Sequence, residues 1–196
     1  MSSFLGVTQN DVDLSDSKVK KTKIKFVGSD NHIQLKGADL YNVNVFIRGK
    51  KHVLIVEEGV KLYNVYIKII GNNNRVYIGK RTSFSSGNVI CGGSGTSIVV
   101  GSDCLFAENV DIWNTDTHSV LRHGNLDNPP SSIKIGNRIW VGKDVAILKG
   151  VSIGDNAVVG MRSLVTKDIQ PGTLNVGSPS KEIKDGITWI IDNPTN

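Results

Sequence analysis

The sequence predicts an all-β fold, a parallel β-helix in which a short repeat winds round one continuous core. Three observations carry this expectation. From Ile135 the chain divides every six residues, as IGNRIW VGKDVA ILKGVS IGDNAV VGMRSL VTKDIQ. The first position of each hexad is aliphatic (Ile135, Val141, Ile147, Ile153, Val159, Val165), and the fifth is aliphatic or small (Ile139, Val145, Val151, Ala157, Ser163, Ile169). Glycine is abundant, with 21 residues against 5 prolines, as suits many tight corners where positive φ carries no steric cost.

The period excludes the common alternatives. A helix needs apolar residues at a spacing near 3.6 and a long strand alternates at 2. A period of six with β-branched residues instead fits a short strand, a corner and another short strand, so that three hexads close one triangular coil. The first-position side chain then points inward and stacks on its equivalents in neighbouring coils. Each coil's inner face is buried only by the coils on either side.

Upstream the pattern loosens. Val100-Gly101, Phe106-Ala107, Ile112 and Ile78-Gly79 with Phe84 keep the spacing, and the Gly-rich SSGNVICGGSGTSIV between them is expected to loosen one coil. Further back, the alternating runs Val43-Val45-Ile47, Val53-Ile55, Val65-Ile67-Ile69 and Val76-Ile78 suggest longer strands in wider coils. Residues 1–22 are expected to form an N-terminal arm, and 23–184 the β-helix domain. Residues 117–132, aperiodic and carrying Pro129-Pro130, should be extruded from the coil wall. Residues 185–196 should form a C-terminal tail, with an apolar patch from Trp189 to Ile191.

Composition bounds the function. The net charge of +5 owes much to KVKKTKIK, Lys18 to Lys25. No aromatic-interleaved basic patch comes after it, so the run reads as a solvated strand or arm, with no nucleic-acid partner. Cys91 and Cys104 lack CxxC spacing and read as small buried thiols in a reducing, cytoplasmic compartment. The first residues show no secretory signal pattern, and no apolar run reaches the ~20 residues that span a bilayer. No stable membrane insertion is expected.

The segments IGNRIWVG (135–142), VVGMRSLVTKDI (158–169) and VGSPSKEI (176–183) resemble the hexapeptide-repeat acyltransferases with a left-handed β-helix. The resemblance is narrower to the branch of galactoside and xenobiotic acetyltransferases and of capsular or exopolysaccharide O-acetyltransferases. A histidine followed by a protruding loop and, 22 residues on, the Trp of IW-V-G belongs to the same pattern. The match covers residues 98 to 184, and the hand of the helix comes from the resemblance alone. It implies a homotrimer with active sites between subunits, in which acetyl-CoA donates to a saccharide or glycan hydroxyl in surface polysaccharide synthesis.

By the same resemblance His118 is the general base. A neutral imidazole, with its ordinary pKa near ~6.5, suits removal of the hydroxyl proton at cytosolic pH. Asp116, two residues earlier, is a candidate to orient the imidazole. Trp140, outward on the coil wall, would line the acceptor or cofactor slot, and Asn114 and His123 are further candidates to meet the acceptor. The cofactor groove would involve Trp140, Gly142, Lys143, Gly160, Met161, Thr166 and Lys167, with Lys181 or Lys184 toward the nucleotide phosphates. Met161 and Arg162 stand where small residues are usual, and Ser180 where alanine is commoner, so the groove's local shape departs from the pattern.

Other acceptors fit the same base, namely the amine of an amino sugar or a small non-sugar alcohol. A zinc carbonic-anhydrase-like solenoid is suggested by His118 and His123, five residues apart. The third ligand it needs should fall near residue 82, where Thr82, Ser83 and Phe84 stand. No metal is expected on that account. A non-catalytic solenoid is the remaining alternative. No Gly-rich nucleotide-binding βαβ unit is read before the repeat, so a nucleotidyltransferase fusion is not expected.

Overall fold

The computed structural model describes residues 1–191. Three parallel sheets form the walls of a triangular prism, and consecutive strands step from wall to wall. Wall 1 stacks eight strands: Ser3–Leu5, Lys23–Val27, Asn44–Lys50, Val65–Asn72, Gly87–Cys91, Val110–Trp113, Ala146–Leu148 and Leu164–Val165. Wall 2 stacks Asp11–Asp13, His32–Leu35, Val53–Val56, Arg75–Ile78, Ser97–Val100, Ile133–Ile135 and Ser152–Ile153. Wall 3 begins at Lys18–Lys20 and Asp39–Tyr41, passes through Trp140–Val141 and Val158–Val159, and ends at Leu174–Val176, against which Lys181–Lys184 pairs antiparallel. The one helical element among the described residues is a 3-10 turn, Val7–Gln9.

The register explains the core. On wall 1, Ile24, Val45, Ile67, Val89, Ile112, Ile147 and Val165 are successive partners, and all point inward and are buried. On wall 3, Leu40, Leu62, Phe84, Phe106, Val141 and Val159 form the equivalent column, with the Phe84 and Phe106 rings stacked at 4.0 Å. Each such side chain contributes roughly 1.5–3 kcal/mol by leaving water. The fifth-position residues Ile139, Val145, Val151, Ala157, Ser163 and Ile169 are all buried at the corners. Ile147 and its partner Val165 lie 18 residues apart, whereas in the first half partners lie further apart, 21 residues for Ile24 and Val45 and 23 for Val89 and Ile112. The upstream coils are therefore wider members of the same solenoid.

Corners are built from left-handed residues. Asn42, Asn64, Asn109 and Asn156 have φ between 52° and 61°, a conformation asparagine tolerates better than most. Asn42 donates to Asn64 across one coil step at 2.8 Å. Inside another corner runs a buried polar ladder. Asn31 Oδ1 accepts the His52 backbone N–H at 2.9 Å, His52 Nδ1 accepts that of Asn74 at 3.2 Å, and Asn74 Oδ1 accepts that of Thr96 at 3.0 Å.

Two expectations are corrected. Residues 1–22 do not stand off as an arm, because Ser3–Leu5, Asp11–Asp13 and Lys18–Lys20 pair in parallel with the second coil. Val7, Val12, Leu14 and Val19 pack on the core but stay only partly buried, since a terminal coil is covered on one side alone. The Gly-rich stretch does not loosen its coil either. Val89, Cys91, Ile98 and Val100 keep register and are buried. Glycine is required there by close backbone approach, for a Cβ on Gly71 would lie 1.7 Å from the Gly93 carbonyl oxygen. The expected extruded loop is present between Trp113 and Ile133, with a small antiparallel hairpin, Leu121–Arg122 and Asn125–Leu126, at its end. Of the expected tail, residues 192–196 lie outside the described residues.

Candidate active site

The chain leaves the coil where wall 1 should turn into wall 2. Val110–Trp113 keeps its register on both neighbours. Thr117 then takes φ 61°, and the His118 backbone N–H donates to the Asp116 carbonyl at 2.7 Å. This three-residue turn throws His118 outward, exposed, at the mouth of a cavity of about 410 Å³. Lys68, Ile70, Ile90 and Trp113 line the cavity from the outer face of wall 1, and Thr115 and Thr117 close it beside the histidine.

Alternation decides which side chains reach the cavity. Inward Ile67, Val89 and Ile112 place Lys68, Ile90 and Trp113 outward on successive strands, in direct register. The same outward column continues to Phe46 and Lys25. The Trp113 indole N–H is buried and finds no acceptor among the described residues. Cys91 borders the cavity but is fully buried, and burial pushes its thiol up to about 11, so it stays a protonated, poor nucleophile. Both cysteines are free and buried, as the sequence suggests.

The residues expected at the site fall in several places. Asp116 does not meet the His118 ring. Its carboxylate takes Lys149 Nζ at 2.5 Å and Asn128 Nδ2 at 2.7 Å, contacts that hold it below the usual carboxylate range. The expected orienting role is thus replaced by a tie to the neck of the loop. Asn114 is corrected too. It is fully buried, with Oδ1 accepting the Gly92 N–H at 2.7 Å and Nδ2 donating to Thr96 Oγ1 at 2.9 Å, because the corner beneath the site needs its side chain. His123 sits in the hairpin turn at φ 51°, exposed, and is not among the residues that line the cavity.

The candidates for the cofactor lie elsewhere on the prism. Trp140 is 42% exposed on wall 3, tilted against Trp189 at 6.4 Å, whose indole N–H donates to the Arg138 carbonyl at 2.7 Å. Gly142 and Gly160 succeed one another at the end of that wall, where a Cβ would strike the next coil. Lys143 pairs with Glu108 at 3.3 Å, while Met161, Thr166 and Lys167 are exposed on the following corners. Lys181 and Lys184 are exposed on the antiparallel edge strand. Within one chain, then, His118 and Trp140 stand on different walls and are not brought together. Sequence reasoning misses Trp113, Asn128, Lys149 and Lys68. Only the parity of the wall 1 strands, which fixes which residues face out, could have indicated Lys68 and Trp113. Among the described residues no group of three His, Cys, Asp or Glu side chains is arranged to hold a metal.

Comparison with known proteins agrees with this architecture. Residues 132–167 match the bacterial transferase hexapeptide (six repeats) family. The polysialic acid O-acetyltransferase of Neisseria meningitidis is 28% identical over 145 residues, 72% of this chain and 66% of that one. The galactoside O-acetyltransferase of Escherichia coli (strain K12) is 38% identical over 92 residues, 45% of this chain and 44% of that one. The match thus spans less than half the length of that relative. Two solved structures superpose on nearly the whole chain. The polySia-specific acetyltransferase NeuO gives a TM-score of 0.86 at 28% identity, covering 99% of this chain and 88% of that one. The polysialic acid O-acetyltransferase OatWY gives 0.90 at 26%, covering 98% and 92%. Its hexads, its coil register and these full-length likenesses make the chain similar to the hexapeptide-repeat acetyltransferases, whose left-handed parallel β-helix fold it shares.

Proposed function

We propose that the protein transfers an acetyl group from acetyl-CoA to a hydroxyl of an acidic saccharide, with His118 as general base, in the synthesis of a surface polysaccharide. The observation that carries this is the placement of His118 at the mouth of the wall 1 cavity. Neutral His118 takes the hydroxyl proton as the oxygen attacks the thioester carbonyl. The tetrahedral intermediate collapses with C–S cleavage, and the imidazolium returns its proton to the departing thiolate.

Charge supports an acidic acceptor. Among the described residues Lys68 is the one lysine or arginine lining the cavity, no carboxylate lines it, and Lys25 continues the same outward column. The likeness to two polysialic acid O-acetyltransferases points the same way. Part of the basic run from Lys18 to Lys25 thereby gains a reason beyond solvation.

The reading includes a homotrimer with sites between subunits. It is supported by the separation of His118 from Trp140 and by the apolar loop residues Val120, Leu121 and Leu126, each more than half exposed. It also includes a cytoplasmic location, where a thioester donor and two free cysteines coexist; no described helix is long and apolar enough to cross a membrane. The test is an acceptor screen with acetyl-CoA that follows free thiol release across neutral and acidic sugars, sugar nucleotides and oligosaccharides. Release confined to acidic saccharides is expected. Equal release with neutral sugars would remove the acidic preference, and release with none would remove the activity.

A further inference from the structure

The neck of the extruded loop holds His118 by contacts that converge from two elements. Asn128, ten residues further along the loop, spends its whole side-chain amide there. Its Nδ2 donates to the Asp116 carboxylate at 2.7 Å and to the His118 carbonyl at 2.9 Å, and its Oδ1 accepts the Val120 N–H at 2.6 Å. Lys149, on the coil below, reaches the same Asp116 carboxylate at 2.5 Å and is only 24% exposed. The turn these contacts enclose is strained. Thr117, a β-branched residue, sits at φ 61°, with His118 N–H bonded back to the Asp116 carbonyl. Such a residue rarely adopts positive φ unless its surroundings impose it. Beyond the neck, residues 119–127 are exposed, so within one chain the neck is what fixes the histidine.

We propose that Asn128 and Lys149, acting through Asp116, are positioning residues for His118: they hold the strained Thr117 turn and so fix where the imidazole stands relative to the cavity. This rests on the reading of His118 as the base. A loop free to relax at Thr117 would carry the ring away from the acceptor, and misplacement by about 1 Å can cost on the order of 100-fold. Lys149 contributes more than its charge, because it ties a segment outside the coil to the rigid prism.

The experiment compares Asn128→Ala, Lys149→Met, Lys149→Arg and His118→Ala in the full chain. It measures kcat and KM, together with hydrogen exchange of the Thr117 to Val120 backbone amides. Asn128 lies outside the coils, so its replacement leaves the fold intact. Asn128→Ala and Lys149→Met should each lower kcat by about 10- to 100-fold, leave the KM for acetyl-CoA within a factor of about two and speed exchange at the neck. Lys149→Arg should restore most of the rate. Faster exchange with wild-type kcat would overturn the proposal, leaving the neck a purely structural tie, and so would unchanged exchange. Wild-type turnover in His118→Ala would remove the base, and the positioning role with it. An inactive His118→Ala beside a fully active Asn128→Ala would remove the positioning role alone.

Discussion

At the scale of single residues, the site divides into groups that would touch substrate and groups that hold them. His118 is legible in the sequence because it begins the one stretch of the later coils where the hexad fails, and a solenoid that interrupts its repeat turns the interrupting residues out to solvent. Asp116 is legible as important but for the wrong contact: two residues' separation suggests an interaction with the imidazole, while the turn at Thr117 sends the two side chains apart. Asn128 and Lys149 are not legible, since they reach Asp116 across 12 and 33 residues of sequence. His118→Ala should lower kcat by at least ~100-fold, as removal of a general base does, with the circular dichroism spectrum unchanged. Lys68 makes a subtler test. It faces the cavity from the outer side of wall 1, so Lys68→Ala should raise the KM for an acidic acceptor roughly two- to five-fold, the worth of a solvent-screened ion pair, and leave that for acetyl-CoA unaltered. Initial rates at low and high salt would check it, because the wild-type advantage should shrink as salt rises.

At the scale of elements, the walls and the corners are not equally readable. Hexads from Ile135 onward describe coils of 18 residues, in which short strands leave little but the inward and corner positions to specify. The earlier coils carry strands of up to eight residues, so their alternation hides the coil period. Nor can the sequence show the internal ladder, whose members are about 22 residues apart and individually resemble loop residues. That ladder makes a definite prediction. His52 Nδ1 accepts the Asn74 N–H while Nε2 donates to the Arg48 carbonyl at 3.1 Å, an arrangement only the neutral ring can make. Burial accordingly lowers the His52 pKa. A histidine that resists protonation when folded contributes stability that is present above its unfolded pKa of about 6.5 and declines as pH falls below it. His52→Asn repeats the residue found at positions 31 and 74, and should lose this acid sensitivity. Melting temperatures at neutral and mildly acidic pH should show the wild type falling further than the variant. An equal fall in both would place the acid sensitivity elsewhere.

At the scale of the whole molecule, the prism keeps apart the two residues that the proposed site combines. The loop bearing His118 leaves between walls 1 and 2, whereas Trp140 and the glycines and lysines near it lie on wall 3 and at its corner with wall 1. A rigid solenoid cannot fold one wall onto another, so any site that uses both must be completed by a second copy. In the proposed homotrimer, closed rotational symmetry would give each subunit one histidine to offer on one side and one tryptophan on the other. His118→Ala and Trp140→Ala homotrimers should each be nearly inactive for that reason. Mixed by unfolding and refolding in equal amounts, they should regain about a quarter of wild-type turnover, the fraction of interfaces that draw an intact histidine and an intact tryptophan from different subunits under random assortment. The same two preparations mixed without unfolding should stay inactive. Were His118 and Trp140 to act within a single chain, refolding could rescue nothing, because every chain in the mixture would still lack one of the two.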